Sequence, residues 1–235
     1  MPHISSYVQF ALSHLSRFNH TSLLGFVQLA QNKSKIGKHL PKNAVILEAG
    51  AHKGEDTAEM AKRWPQATIH AFEPVPELFA ILTKNTKQYP NVHRYQLALS
   101  DKNGSSVLHL SEGTSDASSS LLAPKDHLKI HPTVAFKKQI KVKTMTLDTW
   151  AKTYKVSHVD FMWLDMQGME YKVLKHSKRI FPHSQLLYTE INIKENYTKT
   201  TLYPEYKKWL KKSGMTLLSE NIYWNDSGNA LFVRK

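Results

Sequence analysis

Apolar residues change their rhythm once along this chain, near Asn43. Before that point Tyr7, Val8, Ala11, Leu12, Leu15 and Phe18 recur at helical spacing, and SLLGFVQLAQ at 22–31 continues the pattern. Residues 1–43 therefore read as an N-terminal helical extension covering a domain at 44–235. Arg17 is the cation of the first stripe, too little basic charge to favour a membrane-surface role. From Asn43 onward short apolar strands alternate with amphipathic helices. AVILEAG (44–50) predicts a strand, 54–64 a helix stopped by Pro65, TIHAFEP (68–74) a strand and 76–88 a helix. VHRYQLALS (92–100) predicts a third strand, and the turn DKNG leads into an extra strand, SSVLHLS (105–111). A polar stretch at 112–132 has the composition of a long surface loop, the kind that often binds. QIKVKTM (139–145), LDTWAKTY (147–154), VDFMWLD (159–165), 169–178 and QLLYTEIN (185–192) then read as strand, helix, buried strand, helix and strand. A helix at 203–213 and strands at 215–219 and 229–235 complete the chain.

This alternation predicts an α/β fold with a mostly parallel sheet and helices on both faces. With 235 residues, 41% of them apolar, one well-packed domain is expected. Cysteine is absent, which removes disulfide frameworks and thiolate metal clusters. No apolar run approaches the roughly 20 residues needed to span a bilayer, and no secretory signal pattern opens the chain, so a soluble cytoplasmic protein is expected. The formal net charge of +13 would attract anionic partners without choosing among them. In YPEYKKWLKK (203–212), Tyr203, Tyr206 and Leu210 form a helical stripe with the lysines mostly off it. That predicts a buried aromatic seam with a solvated lysine face above it.

In such a sheet the ligand lies beyond the carboxyl ends of the strands. Those positions hold Glu48, Gly50, His52 and Gly54, then Glu73 and Pro74, then Ala98, Leu99, Ser100 and Asp101, then Asp165, Gln167 and Gly168, and finally Glu190 and Asn192. A dinucleotide loop needs G-x-G-x-x-G, whereas this loop is Glu48-x-Gly50-x-x-x-Gly54. The Glu48 carboxylate suits a cationic amino group better than a phosphate. Glu73 follows Gly54 by 19 residues, where a carboxylate can take both hydroxyls of a ribose. A ribose, a positive amino group and no phosphate together describe S-adenosylmethionine.

The chain resembles the FkbM family of S-adenosylmethionine-dependent methyltransferases in four ordered blocks. They are VILEAGAHKGEDT, IHAFEPVPELFAILTKN, NVHRYQLALSDKNG and VDFMWLDMQGMEYKVLKHS, joined by SSSLL at 118–122 and TLDTW at 146–150. The resemblance covers about residues 44–234. It implies the class I, Rossmann-like methyltransferase fold, a seven-stranded sheet whose last strand is antiparallel, and methylation of a hydroxyl on a small molecule or sugar. Cofactor contacts are expected from Glu48, Gly50, Ala51, His52, Gly54, Glu73, Pro74, Ala98, Leu99, Asp165 and Gln167. Acceptor contacts are expected from Ser118, Ser119, Ser120, Gln167 and Asn192. Two departures stand out: Gln167 where the family often has glutamate, and His176 where a glycine commonly ends the helix.

The loop DMQG after the fourth strand lacks the Pro-Pro-aromatic sequence of many amino-methylating enzymes, so oxygen is the preferred acceptor atom. Asp165 and Glu190 are the candidate bases, with His52 a weaker one. Asp165 has a second possible role, orienting the cofactor's amino-acid end. An alternative has Asp165, Glu190 and Asn192 presenting oxygens to Mg²⁺; the metal-free version is preferred. A ribose methyltransferase acting on RNA through Lys42, Asp165, Lys194 and Glu220 is a further alternative, as is a non-catalytic S-adenosylmethionine-binding module. A nicotinamide-dependent oxidoreductase is disfavoured by the missing third glycine.

Overall fold

The computed structural model describes residues 32–222 and 226–235. The helices expected at 7–18 and 22–31 lie outside the described residues. Among the described residues, ten strands and six α-helices, with a helical segment at 32–39 and a 3-10 turn at Phe181–His183, carry the fold. β1 (Val45–Ala49), β2 (Thr68–Phe72), β3 (Val92–Tyr95), β7 (Phe161–Leu164), β8 (Leu186–Asn192), β9 (Met215–Ile222) and β10 (Ser227–Arg234) form one sheet in the order β3-β2-β1-β7-β8-β10-β9. β10, the last strand of the chain, runs antiparallel to both neighbours, while β1, β2, β3, β7 and β8 pair in parallel. Strands β1, β2 and β7 are nearly continuous apolar runs because both faces of the sheet are covered.

Alternate residues of each strand feed opposite cores. Leu47, Met162, Leu164, Leu187 and Ile191 pack with α4 (Leu147–Thr153), α5 (Glu170–His176) and α6 (Tyr203–Lys212). Ile46, Phe161, Trp163, Leu186 and Tyr188 pack on the other face with α1 (Glu55–Arg63), α2 (Pro76–Thr86) and the 32–39 segment. α6 buries Tyr203, Tyr206 and Leu210, as its stripe predicts. α1 has Glu55 and Asp56 in its first turn and Lys62 and Arg63 in its last, matching the helix dipole. Thr146 caps α4, its hydroxyl oxygen accepting from the Thr149 N–H at 3.2 Å. α3 (His127–Ile130) is a single short turn inside the stretch expected to be loop.

The strand expected at 92–100 is two strands. β3 stops at Tyr95, which pairs with Phe72, the last residue of β2, so the sheet offers nothing further to pair with. The chain kinks, with the Leu97 N–H donating to Tyr95 O at 3.0 Å. It restarts as β4 (Ala98–Leu99) in a separate sheet of order β4-β6-β5, with β5 at Gly104–Gly113 and β6 at Val134–Met145. This second sheet carries Ala98 and Leu108 against Val75 and Leu78, forming a wall above the crevice.

Candidate active site

The order of the main sheet reverses between β1 and β7. A cavity of about 200 Å³ opens at their carboxyl ends. The strands approach closely there: the Asp165 N–H donates to Ala49 O at 2.9 Å, and a Cβ on Gly50 would collide with the Asp165 carbonyl. Gly50 takes φ of 88°, the left-handed region that glycine enters at little cost. Its glycine is thus required by strand closeness as well as by the turn.

Four loop amides that could cradle a phosphate are already committed. Gly50 N–H and Ala51 N–H both donate to Phe72 O (3.1 and 2.9 Å), Gly54 N–H to Ala51 O (2.8 Å) and His52 N–H to Glu73 Oε2 (2.9 Å). Glu55 and Asp56 occupy the first turn of α1, where an anion would otherwise be welcome. Glu48, Glu55, Asp56, Glu73, Asp116 and Asp165 line the cavity, and among the described residues no lysine or arginine does. In a chain of net charge +13 this concentration of carboxylates defines a pocket for a ligand without phosphate.

Glu73 is the best-fixed of these acids. It is 5% exposed, with Oε1 accepting from Val75 N–H at 2.8 Å and Oε2 from His52 N–H. Burial pushes its carboxyl up to about 7, against the two backbone N–H groups that favour the ionised form. Glu48 lies deeper, bonded to the Thr57 hydroxyl; burial and Asp56 push it to about 8. Burial would lower Lys33, but contacts with Asp56 and Glu59 outweigh it and raise the ammonium above its ordinary value. Its Nζ stands 5.4 Å over the Trp163 ring in the floor of the cavity. Asp165 opens to the cavity while protein surrounds it on the remaining sides. That surround raises its carboxyl, opposed by the Gln167 amide, whose nitrogen donates to Asp165 Oδ1 at 2.6 Å.

Of the expected cofactor residues, Glu48, Gly50, Ala51, His52, Glu73, Pro74, Ala98, Leu99, Asp165 and Gln167 all line the cavity. Gly54 does not. At φ of 84°, its added Cβ would meet Leu82 Cδ1 at 2.6 Å, so this glycine lets α1 pack on α2. Ser119 lines the cavity, though its Oγ accepts from the Ser111 N–H at 3.0 Å, and Ser118 and Ser120 do not line it. Ser118 N–H donates to Ser111 Oγ at 3.0 Å, and Ser120 Oγ donates to Gln167 O at 2.8 Å. Glu190 and Asn192 share one face of β8, outside the cavity lining, and Glu190 Oε2 and Asn192 Oδ1 are buried without a hydrogen-bond partner. Burial, then Asp165 and Glu170, hold Glu190 well above the ordinary carboxylate range. Among the described residues no group of three or more His, Cys, Asp or Glu could hold a metal ion. The tetrad of Lys42, Asp165, Lys194 and Glu220 is dispersed. Lys42 precedes β1, a strand length of about 16 Å from the end where Asp165 sits, and Glu220 on β9 is bonded to Tyr203 and Lys207.

Three residues absent from the sequence-based set belong to this site. Asp116 reaches over the mouth, 2.9 Å from His52 Nε2 and 2.7 Å from Lys53 Nζ. Glu170 is 3% exposed, and its Oε1 accepts from Met166 N–H at 2.6 Å, holding the loop after β7. Tyr197 touches Gln167 from below that loop. An acid at the first residue of a helix is a signal that marks Glu170; Tyr197 lies in a loop without periodicity and has none.

The FkbM methyltransferase domain model matches residues 48–215. The chain is 32% identical over 158 residues to the 2-O-methyltransferase NoeI of Sinorhizobium fredii, spanning 65% of the length of each. It is 23% identical over 210 residues to methyltransferase sdnD of Sordaria araneosa, covering 79% of both chains. The structure of the fibrillarin pre-rRNA processing protein of Methanococcus jannaschii superposes with a TM-score of 0.52 at 13% identity. That match covers 83% of this chain and 68% of that one, a likeness of fold.

Proposed function

The chain belongs to the FkbM methyltransferase family, and from that premise we propose that it methylates a hydroxyl oxygen of a small molecule or sugar, using S-adenosylmethionine. The observation that carries the cofactor is the carboxylate-lined cavity where the Gly50, Ala51, His52 and Gly54 amides are already bonded. The donor set fits the cofactor part by part. Val75, Leu78, Ala98 and Leu99 offer an apolar slot for a purine, Glu73 holds two acceptor oxygens for the ribose hydroxyls, and Asp56 faces a cationic amino end. When bound, S-adenosylmethionine supplies a sulfonium methyl group for in-line displacement by the acceptor oxygen, the sulfur leaving with the bond pair.

Asp165 is the base. It stands at the cavity edge beside Glu190, carries a carboxyl raised above its ordinary value, and takes the proton of the acceptor hydroxyl. Positioning supplies most of the acceleration, since well-oriented partners reach effective molarities of about 10⁵–10⁸ M. Oxygen as the acceptor atom is supported by the name of the relative at 32% identity, a 2-O-methyltransferase. A release assay for S-adenosylhomocysteine across neutral sugars, polyketide alcohols and RNA tests this function. Turnover with a neutral hydroxyl acceptor, nearly indifferent to moderate salt, is expected. Turnover confined to RNA and falling steeply with salt would replace it with ribose methylation.

A further inference from the structure

The loop after β7 is held in place from outside. Gln167 adopts φ of 53°, uncommon for a residue with a side chain, and Gly168 follows at 96°. Ser120 Oγ donates to the Gln167 carbonyl at 2.8 Å, and the Glu170 carboxyl takes the Met166 N–H. The Gln167 side chain then bridges two partners. Its amide nitrogen lies 2.6 Å from Asp165 Oδ1, and its amide oxygen lies 2.8 Å from the Tyr197 hydroxyl. That same hydroxyl is 2.8 Å from the Ser118 carbonyl oxygen. Tyr197 is 1% exposed, with its ring packed beside His127 and Phe136.

The phenol has one proton and two acceptors within reach. Donated to Gln167 Oε1, it fixes the amide with its N–H toward Asp165, the arrangement an ionised carboxylate needs. Donated to Ser118 O, it leaves the phenol oxygen as an acceptor. The amide, turned over, then donates to Tyr197 and offers its carbonyl to a protonated Asp165. Both arrangements use the same heavy-atom positions. Burial, together with Glu190, Asp165 and Glu170, raises the Tyr197 hydroxyl above its ordinary value, so the group stays a phenol.

We propose that Tyr197 is a positioning residue that acts through the Gln167 amide to aim Asp165 and to let it pass between ionised and protonated forms with its hydrogen bond kept. The proposal rests on Asp165 being the base. Other groups also face Asp165: Asp56 from α1, His52 from the glycine loop, Glu190 from β8 and Glu170 from α5. A shift caused by Gln167 and Tyr197 must therefore be isolated by difference.

The test needs no acceptor. Side-chain carboxyl NMR titration of the ligand-free chain, labelled with ¹³C aspartate and assigned with Asp165→Asn, reads the Asp165 midpoint directly. Tyr197→Phe keeps the ring and removes the relay. It should raise that midpoint by about half a pH unit or more, and Gln167→Ala should raise it further by removing the donor. The double variant should match Gln167→Ala alone, because Tyr197 acts through the amide. An unmoved midpoint in Tyr197→Phe, or a double variant showing the sum of the two single effects, overturns the proposal. Failure of the base assignment reads differently: the midpoint moves as stated while Asp165→Asn retains full turnover in the acceptor screen.

Discussion

Glu73 gives the most quantitative consequence of the site. In the ligand-free protein its carboxyl has been pushed from 4.5 to about 7, chiefly by burial. A ribose diol donating two hydrogen bonds favours the ionised form, so binding lowers this value and releases the proton. At pH 6 about nine-tenths of Glu73 is protonated, and the dissociation constant for S-adenosylhomocysteine should be roughly tenfold weaker than at pH 8, about 1.4 kcal/mol. Calorimetry in two buffers of different ionisation enthalpy should show close to one proton released per binding event at pH 6, and little from this group at pH 8. Glu73→Gln removes the titration and turns an amide N–H₂ toward the His52 or Val75 N–H, where the carboxylate now accepts from both. Hydrogen bonds to a charged group contribute about 1.5–3 kcal/mol, so affinity at pH 8 should fall roughly 10- to 150-fold. A dissociation constant that is flat from pH 6 to pH 8, or unchanged affinity in Glu73→Gln, would refute the ribose-binding role.

Asp165→Asn should lower turnover by about 10² to 10⁴ fold with little change in S-adenosylhomocysteine affinity and no response to chelators or Mg²⁺; restoration of activity by Mg²⁺ after chelation would favour the metal alternative. Gly54→Ala should cost about 1–3 kcal/mol of stability, because its Cβ meets Leu82, while cofactor affinity stays within a few fold; lost affinity with unchanged melting would return Gly54 to the ligand site. Glu48, Glu73 and Glu170 sit at about 8, 7 and 8, all above the ordinary 4.5, so the folded chain holds protons that the unfolded chain releases. Their stabilisation is complete below about pH 4.5 and is lost as pH climbs through 7 to 8. The ligand-free Tm should therefore be lower at pH 8.5 than at pH 5.5, and a rise across that window would contradict these assignments.

Positions directly after parallel strands were the legible part of the site. Gly50, Glu73 and Asp165 each directly follow a buried strand, Glu48 is the penultimate residue of β1, and strand alternation alone brings those ends to one crevice. Residues placed by distant partners were not legible. Gly54 looks like a ligand-loop glycine until Leu82, on another helix, is seen to occupy the space a side chain would need. VHRYQLALS reads as one strand because nothing in it records that β2 ends opposite Tyr95. The serines at 118–120 look like a binding loop, yet Ser120 Oγ is bonded to the Gln167 carbonyl and Ser118 N–H to Ser111 Oγ. Tyr197 owes its place to a loop conformation that leaves no period in the sequence.

Transfer of an intact methyl group is the central claim, and a trideuteromethyl-labelled donor tests it most directly. The chain is incubated with S-adenosylmethionine carrying a trideuterated methyl group and the neutral acceptor found in the release assay, and the product is analysed by mass spectrometry and NMR. One trideuteromethyl group, carried as an alkali-stable ether on a hydroxyl oxygen and matched one for one by S-adenosylhomocysteine, is the predicted result. Label on nitrogen or in an alkali-labile ester, or the absence of any labelled product from a chain that binds the donor in calorimetry, would contradict it.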